Sequence, residues 1–565
     1  MAKDKTQILV LGGGFGGVYT AMYLEKGMTR AEREEIEVTL VSHENYIVFQ
    51  PFLPEVISGT IETLHVITPI RRLAKRARLH TREIEAIDIE KKTVRLAPEF
   101  IPRPTELQYD HLVLGMGTKM NYSLVPGMKE HAIDFKYLGD ALRLRNEVVR
   151  MLEQADNEPN PEERRKLLTF VVGGGGFSGV ECIAELNDFL RNSLPAYSNI
   201  RVEDTRVVLL QSANRILPEV DPTLAEYGCK ILGKRGIEIR LNTRLKAVTA
   251  DGASIQDKQT KEMEFIPSRV VVSTVPSAPH EMITTLPVPL ERGKVIVTEY
   301  MDVPDSPGLW ALGDCAFVPQ RDGINSPPTA QHALRQAKVC AKNILADIRG
   351  TKRKPFTFTG LGKLASLGQR SAVAEVMGIR LSGFVAWIMW RGIYLSKFPG
   401  LDRKFRIAVD WALDVFLPRD ITQVRIFKRD AVTQEHFLPG QMIFDSGDFG
   451  DKVYVVTRGE VEIVVAEKVV ATMGEGEVFG EIALISDLPR TAQVRAKTAA
   501  DVISVSRDAF KTLVKHLPGV KDTMEKLMHS RGRDVDLGNS FLTENSDTAP
   551  PTHASVQQDE KTTQS

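Results

Sequence analysis

Residues 7–17 read QILVLGGGFGG, a short apolar run that breaks into glycines at 12, 14 and 17. A helix-forming stretch, VYTAMYLEK, follows, and IEVTLV at 36–41 has the β-branched content of a second strand. Strand, glycine turn, helix and strand make a βαβ unit, in which GxGxxG spacing has a mechanical meaning. Gly12 allows the tight turn, Gly14 lets a pyrophosphate approach the backbone, and Gly17 lets helix and strand pack closely. The phosphates then rest on unpaired N–H groups at the positive end of the helix. The pattern returns as LLTFVV (167–172), a loop with glycines at 174, 176 and 179, the helix-like VECIAELNDFL, and RVVLL (206–210). Two copies predict an α/β chain with two Rossmann-like domains, where an electron donor meets a bound redox cofactor.

Composition narrows the surroundings. At about 150 residues per domain, 565 residues allow roughly three to four domains. Apolar residues at 42% and charged residues at 26% exclude a collagen-like, disulfide-scaffold or wholly disordered chain. Lys+Arg and Asp+Glu are both 73, so no global basic field favours nucleic acid. The four cysteines, Cys182, Cys229, Cys315 and Cys340, form no CxxC pair, which argues against a zinc or dithiol centre and suits a reducing, cytoplasmic compartment. The opening MAKDKTQILVLGGG lacks the features of a signal peptide. No run reaches the ~18–20 apolar residues that cross a bilayer; the nearest, LSGFVAWIMW (381–390), stops at Arg391.

The acids after each second strand differ. In the first unit the strand ends in Ser42-His43-Glu44, placing a ribose-binding acid at Glu44. In the second it ends in Gln211-Ser212, with no carboxylate to repel a 2′-phosphate, which leaves NADH and NADPH both open. LWALGDCA (309–316) is a strand-like run ending in Gly313-Asp314, and YDHLVLGMGT (109–118) is a return strand ending near Gly117. This arrangement resembles the two-dinucleotide-domain flavoproteins. The resemblance implies that Gly313 and Asp314 hold the ribityl chain of FAD and that Gly117 closes the first domain beside it. From sequence alone, Asp314 is also readable as a helix cap.

Within that superfamily, residues 6–425 resemble the type II NADH:quinone oxidoreductases. NYIVFQPFLPEVISGTIE (45–62) is similar to the family segment facing the isoalloxazine ring, and PPTAQHALRQA (327–337) to its quinone-site motif. Ala330, Gln331, Ala333 and Gln336 match that motif, while Arg335 replaces a glutamine. The resemblance implies quinone contacts at Ala330, Gln331 and Gln336, and puts Glu181 where nicotinamide meets flavin. The plain alternative for Glu181 is a first-turn glutamate that stabilises its own helix. The implied reaction passes electrons from NAD(P)H through FAD to quinone without pumping protons. The implied place is peripheral, on the cytoplasmic face of the inner membrane.

A quinone reductase must reach lipid. Phe405, Ala408, Val409, Ala412, Leu413 and Phe416 share one helical face, with Phe384, Trp387, Trp390, Tyr394 and Phe398 upstream. Residues 391–430 hold nine Lys/Arg and five Asp/Glu. Three of the four tryptophans (387, 390 and 411) fall in this region and read as a headgroup belt. A homodimer interface is the competing use of that face.

Further on, HFLPGQMIFDSGDFGDKVYVVTRGEVEIVV (436–465) and FGEIALISDLPRTAQV (479–494) resemble a cyclic-nucleotide-binding β-roll closed by helices. The resemblance places Gly480 and Glu481 on the ribose, Arg490 on the cyclic phosphate and Thr491 beside the base, with cAMP and cGMP both open. A guanidinium fork suits a phosphate. No helix-turn-helix follows to suggest DNA binding. The expected plan is an FAD domain from 1–125 and 289–355 and an NAD(P)H domain at 126–288 with a polar linker at 153–165. A membrane-associating segment at 356–425, the nucleotide module at 426–533 and a disordered tail at 534–565 complete it. Two rival readings remain. A sulfide:quinone reductase would need paired reactive cysteines, and a non-catalytic redox sensor would bind both nucleotides without turnover.

Overall fold

The computed structural model describes residues 5–97, 105–274, 277–320, 325–417, 419–423, 432–448, 450–486 and 489–530. The expected disordered tail, 534–565, lies outside them. The chain divides into two compact units, Met1–Leu96 with Glu106–Arg425 and Ala97–Thr105 with Ile426–Ser565.

In the large unit, one five-stranded parallel sheet has the order Leu309–Ala311, His111–Leu114, Thr6–Leu11, Ile36–Val41, Arg78–His80. A second parallel sheet follows the same logic, with Ala132–Asp134, Val270–Ser273, Thr169–Gly173, Arg206–Leu210 and Ile237–Arg240. Each strand that leads into a glycine loop is the middle one of its sheet. The next strand in sequence lies on one side and a later strand on the other, which is the switch point where doubly wound sheets open a crevice. The runs ILVL and FVVG are buried almost throughout, as strands covered on both faces must be.

Two of the expected segments take a definite form in this unit. Residues 153–165, read as a polar linker, are helical except for 158–160, within helix Leu138–Asn157 and helix Pro161–Leu167. The Asn160 side chain accepts from Glu162 N, so a polar, proline-bearing run became a helix cap rather than a loop. The segment 356–425, read as membrane-associating, contains strands as well as helices. Gly362–Ser366, Ala372–Val376 and Ile379–Ser382 form an antiparallel sheet before helices Gly383–Lys397 and Leu401–Leu413 begin.

The small unit is built of two four-stranded antiparallel sheets. One runs Val432–Phe437, Ala500–Ser506, Lys452–Arg458, Val478–Phe479, and the other Met442–Phe444, Gln493–Ala496, Val461–Val465, Lys468–Met473. Tyr454, Val456, Val461, Phe479, Val494 and Val502 fill the space between them. Helices Arg507–His516 and Pro518–Ser530 follow the last strand.

Candidate active site

At the first loop Gly12 has φ +117°, and a Cβ there would lie 2.3 Å from Gly115 O. A Cβ on Gly17 would lie 2.0 Å from Gly12 O, so only hydrogen fits where helix Phe15–Gly27 meets the turn. Gly14 and Gly117 differ, since a Cβ on either would meet no atom within 4 Å. That open backbone is the space a pyrophosphate and a flavin would fill. Gly313 and Asp314 stand at the same end of the sheet, because Leu312 N donates to Leu114 O at 3.1 Å. Asp314 lies in a short turn, Gly313–Cys315, and the next helix starts only after Thr329, so Asp314 is not its cap. Burial raises the Asp314 carboxyl pKa, while Lys294 and Lys136 pull it down. Glu44 is exposed beyond the strand end, in a turn where Ser42 Oγ donates to Glu44 O at 2.6 Å.

Lys136 carried no sequence signal. Its ammonium donates to Thr118 O, and to Thr118 Oγ1 at 3.2 Å, one residue past Gly117, and its charge favours the ionised carboxylate of Asp314.

The second loop repeats the first in detail. Gly174 has φ +113°, and a Cβ on Gly179 would sit 1.8 Å from Gly174 O. Gly176 opens helix Phe177–Ser193 with only Glu219 Oε1, at 4.0 Å, near its missing Cβ. Gln211 is buried and engaged: its Oε1 accepts from Gly175 N at 3.3 Å and Ser212 N at 3.1 Å, and its Nε2 donates to Arg215 O at 3.0 Å. It shapes the loop from beneath. The two domains are linked by a two-stranded pairing of Thr118–Met120 with Ser277–Pro279.

Glu181 lies in the first turn of the second loop helix but does not serve that helix. Its Oε1 accepts from Ser366 N at 2.9 Å and Trp390 Nε1 at 3.2 Å. Burial pushes its pKa up to about 8 against those two hydrogen bonds, well above the usual carboxylate range. Unfolded, the group titrates near 4.5, so between 4.5 and about 8 the folded chain keeps a proton that the unfolded chain releases. Stability from this group is present below that window and is lost as pH rises through it. Glu181→Gln should flatten the decline, measured by thermal denaturation across the window.

The short helix Leu53–Ile57, within the segment expected to face the flavin, packs on the same helix as Glu181. It carries Glu55, also buried and also raised by burial, which accepts from Trp411 Nε1 at 2.7 Å and pairs with Arg391 Nη2 at 3.4 Å. The tryptophan reading is thereby corrected. Trp390 is 1% exposed and Trp411 9%, both packed on Phe52, because their N–H groups satisfy buried carboxylates. The apolar face read from spacing does stand open: Phe405, Ala408, Val409, Ala412, Leu413 and Phe416 are all exposed, joined by Phe384, Val385 and Ile388. Its opposite side buries Ile407 and Trp411 and turns Asp410 onto His65. Among the described residues no helix is long and apolar enough to cross a membrane.

The motif with Gln331 opens helix Ala330–Ile348, which packs along helix Phe15–Gly27. Gln331 Oε1 accepts from Leu361 N at 3.2 Å, and Arg335 lies 3.9 Å over the Phe358 ring while donating to Gln331 O. Gln336 is buried and its Oε1 accepts from Gly313 N at 2.8 Å, which ties this helix to the Gly313-Asp314 turn. Ala330 is half-buried at the helix start.

In the small unit Gly480, with φ +82°, precedes buried Glu481 at the start of helix Glu481–Ser486. Arg490 donates to Gly480 O and, at 2.7 Å, to Lys452 O, and its guanidinium stacks 4.1 Å over Phe444. Gly480, Glu481 and Arg490 are therefore together, with Thr491 exposed beside them. No group of metal-ligating side chains occurs among the described residues.

Comparison with known proteins bears on all of this. Residues 6–337 match the model of the pyridine nucleotide-disulphide oxidoreductases, residues 361–420 an NDH2 C-terminal domain, and residues 434–516 a cyclic nucleotide-binding domain. The demethylphylloquinone reductase NdbB of Synechocystis is 30% identical over 418 residues, covering 73% of this chain and 96% of its own. The type II NADH:quinone oxidoreductase Ndh of Mycobacterium tuberculosis is 28% identical over 443 residues, covering 76% of this chain and 93% of its own. The fold is that of NDH2 from Plasmodium falciparum in complex with NADH, with a TM-score of 0.69 at 21% identity over 74% of this chain and all of that one.

Proposed function

Because the chain belongs to the pyridine nucleotide-disulphide oxidoreductases, and within them to the type II NADH:quinone oxidoreductase family, we propose that it oxidises NADH or NADPH with a membrane quinone, moving no protons across the bilayer. The observation that carries the reading is a pair of glycine-loop domains joined by the pairing of Thr118–Met120 with Ser277–Pro279, with Asp314 at the open end of the first sheet and a buried Glu181 on the second loop helix. Bound FAD supplies the two-electron exchange between nicotinamide and quinone. Gly12, Gly14, Gly17, Glu44, Gly117, Gly313 and Asp314 would hold it, with Lys136 adding a positive charge beside Asp314. Gly174, Gly176 and Gly179 would hold the nicotinamide dinucleotide, on a loop that Gln211 braces from beneath.

Quinone reduction consumes protons, and Glu181 can hold one on Oε2, since Oε1 is taken by Ser366 and Trp390. Ala330 and Gln331 would line the quinone end, and Gln336 acts through Gly313 rather than by direct contact. The exposed face from Phe384 to Phe416 supports docking on a lipid surface, so that the enzyme is peripheral on the cytoplasmic face of the inner membrane. The same face would serve a homodimer, but its basic neighbours favour lipid. The second module would take cAMP or cGMP at Gly480, Glu481, Arg490 and Thr491 and so modulate turnover or docking. The cysteines do not favour sulfide chemistry, because none is paired and burial raises the Cys182, Cys315 and Cys340 thiols.

The test is direct. The purified full chain should show a flavin spectrum, lose it on addition of NADH or NADPH, and regain it with a quinone. A colourless chain overturns the reading, and bleaching without quinone turnover favours the redox sensor instead. Titration with cAMP and cGMP should change turnover or vesicle binding, and Arg490→Ala should abolish that response. The donor is probed by Gln211→Glu, which keeps both acceptor bonds of Gln211, gives up its donation to Arg215 O and adds a negative charge beneath the second loop. Its kcat/KM with NADPH should fall at least about tenfold while that with NADH is kept, measured by steady-state kinetics.

A further inference from the structure

The stretch RRLAKRAR (71–78) puts five cations in eight positions and takes no part in the site above. Three contacts lay the chain leading into it along helix Leu401–Leu413. His65 Nδ1 lies 2.5 Å from Asp410 Oδ2, Thr68 Oγ1 donates to Pro399 O at 3.3 Å, and Arg72 Nη1 donates to Asp402 Oδ2 at 2.7 Å. The basic run thus emerges at the start of that helix, where Leu401 is 83% and Phe405 72% exposed.

Its backbone is held from inside. The buried carboxylate of Glu25 accepts from the backbone N–H groups of Lys75, Arg76 and Ala77 at 3.1, 2.8 and 2.7 Å. That anchor leaves the side chains of Lys75 and Arg76 outside. Arg71, Lys75 and Arg76 are exposed and make no ion pair among the described residues, while Arg72 is spent on Asp402 and Arg78 on Glu37 at 3.7 Å. Three exposed cations with no ion pair among the described residues therefore flank Arg72, which its bond to Asp402 ties to the helix that exposes Leu401 and Phe405.

Each half of this patch has a simple partner, and one surface supplies both. Phosphate groups would answer the cations, and a hydrocarbon layer would answer Leu401 and Phe405. A nucleic acid satisfies only the first half and leaves both apolar side chains in water. We propose that residues 71–76 with Leu401 and Phe405 form an anionic-phospholipid site, in which Arg71, Lys75 and Arg76 hold headgroup phosphates and the two apolar side chains enter the acyl region. This rests on the membrane reading above and adds headgroup selectivity to it. The selectivity is set by the flavin domain rather than by the amphipathic helices alone.

The experiment is vesicle flotation of the full-length holoenzyme with phosphatidylcholine alone and with equal parts phosphatidylcholine and phosphatidylglycerol. The wild type should prefer the anionic vesicles, and added salt should weaken that preference. The triple variant Arg71→Gln, Lys75→Gln, Arg76→Gln should bind anionic vesicles about a hundred-fold less tightly, at roughly fivefold per charge, and neutral vesicles unchanged. Its turnover with a water-soluble quinone should equal that of the wild type, which shows that the fold is intact. Equal wild-type binding to both vesicles overturns the site while the membrane reading stands, and binding to neither overturns both. A triple variant that floats like the wild type, or release of the wild type by single-stranded RNA at equal phosphate concentration, also overturns it.

Discussion

Gly179→Ala should give a protein that stays yellow but that NADH no longer bleaches at the normal rate, with kcat/KM for NADH down by about a hundred-fold or more. The new Cβ would lie 1.8 Å from Gly174 O and 2.8 Å from Thr274 Oγ1. Neither neighbour can retreat easily. Gly174 O belongs to the loop backbone, and Thr274 Oγ1 is bonded to Gly173 O at 3.0 Å and Gly174 O at 3.3 Å. The helix must back away from the turn, and with it go the N–H groups that would meet the pyrophosphate. A misplacement of about 1 Å costs on the order of a hundred-fold in rate. Gly17→Ala meets the same obstacle at the first loop, with Gly12 O at 2.0 Å, and should lose the flavin instead. The pair separates the two sites, read by visible spectrum after gel filtration and by anaerobic stopped-flow reduction. Loss of flavin from both variants would show that the sites do not divide in this way.

Arg391→Ala should be the most destabilising single change in the large unit outside the glycine loops, by roughly 3–5 kcal/mol. The guanidinium lies 4.1 Å from the Trp387 ring and 4.4 Å from the Trp411 ring, with Glu55 Oε1 at 3.4 Å. Removing it empties a space between two indoles and leaves a buried carboxyl with only the Trp411 N–H. Glu55 can escape part of the penalty by taking up a proton, so the loss should be smaller at pH 6 than at pH 8. Chemical denaturation at both pH values measures it, with the transition of the large unit followed through flavin release. A loss of less than about 1 kcal/mol at both would show that the pair is not structural.

The glycine loops were legible because a backbone constraint leaves few residue choices. A turn at φ +117° and a helix start where a Cβ would lie 2.0 Å from a carbonyl oxygen admit only glycine, wherever the rest of the chain goes. The Gly313-Asp314 pair and the motif around Gln331 were legible only through resemblance, since nothing in their spacing states which sheet they join. The tryptophans misled for a definite reason. An indole needs a polar partner and an apolar bed, and a headgroup layer and a buried carboxylate supply both equally well. Telling them apart required Glu55 and Glu181, which are 356 and 209 residues from their tryptophan partners. Gln336 was read as a quinone contact through resemblance, whereas its amide oxygen accepts from Gly313 N, and the amide oxygen of Gln211 is taken up in the same way by Gly175 N. Lys136 stands beside Asp314 without any motif to announce it.

The strand order of the first sheet has a consequence for how the chain is made. Its glycine turn is complete by residue 17, yet its edge strand, Leu309–Ala311, and the turn held by Gln336 are synthesised some three hundred residues later. The whole second domain is synthesised in between, as an insertion within the first. At translation speeds of about 5–20 residues per second, the first sheet waits for tens of seconds with one side open. Cofactor capture is therefore a late event in biogenesis, and any chain released before residue 309 leaves an early nucleotide loop with no flavin site to complete it.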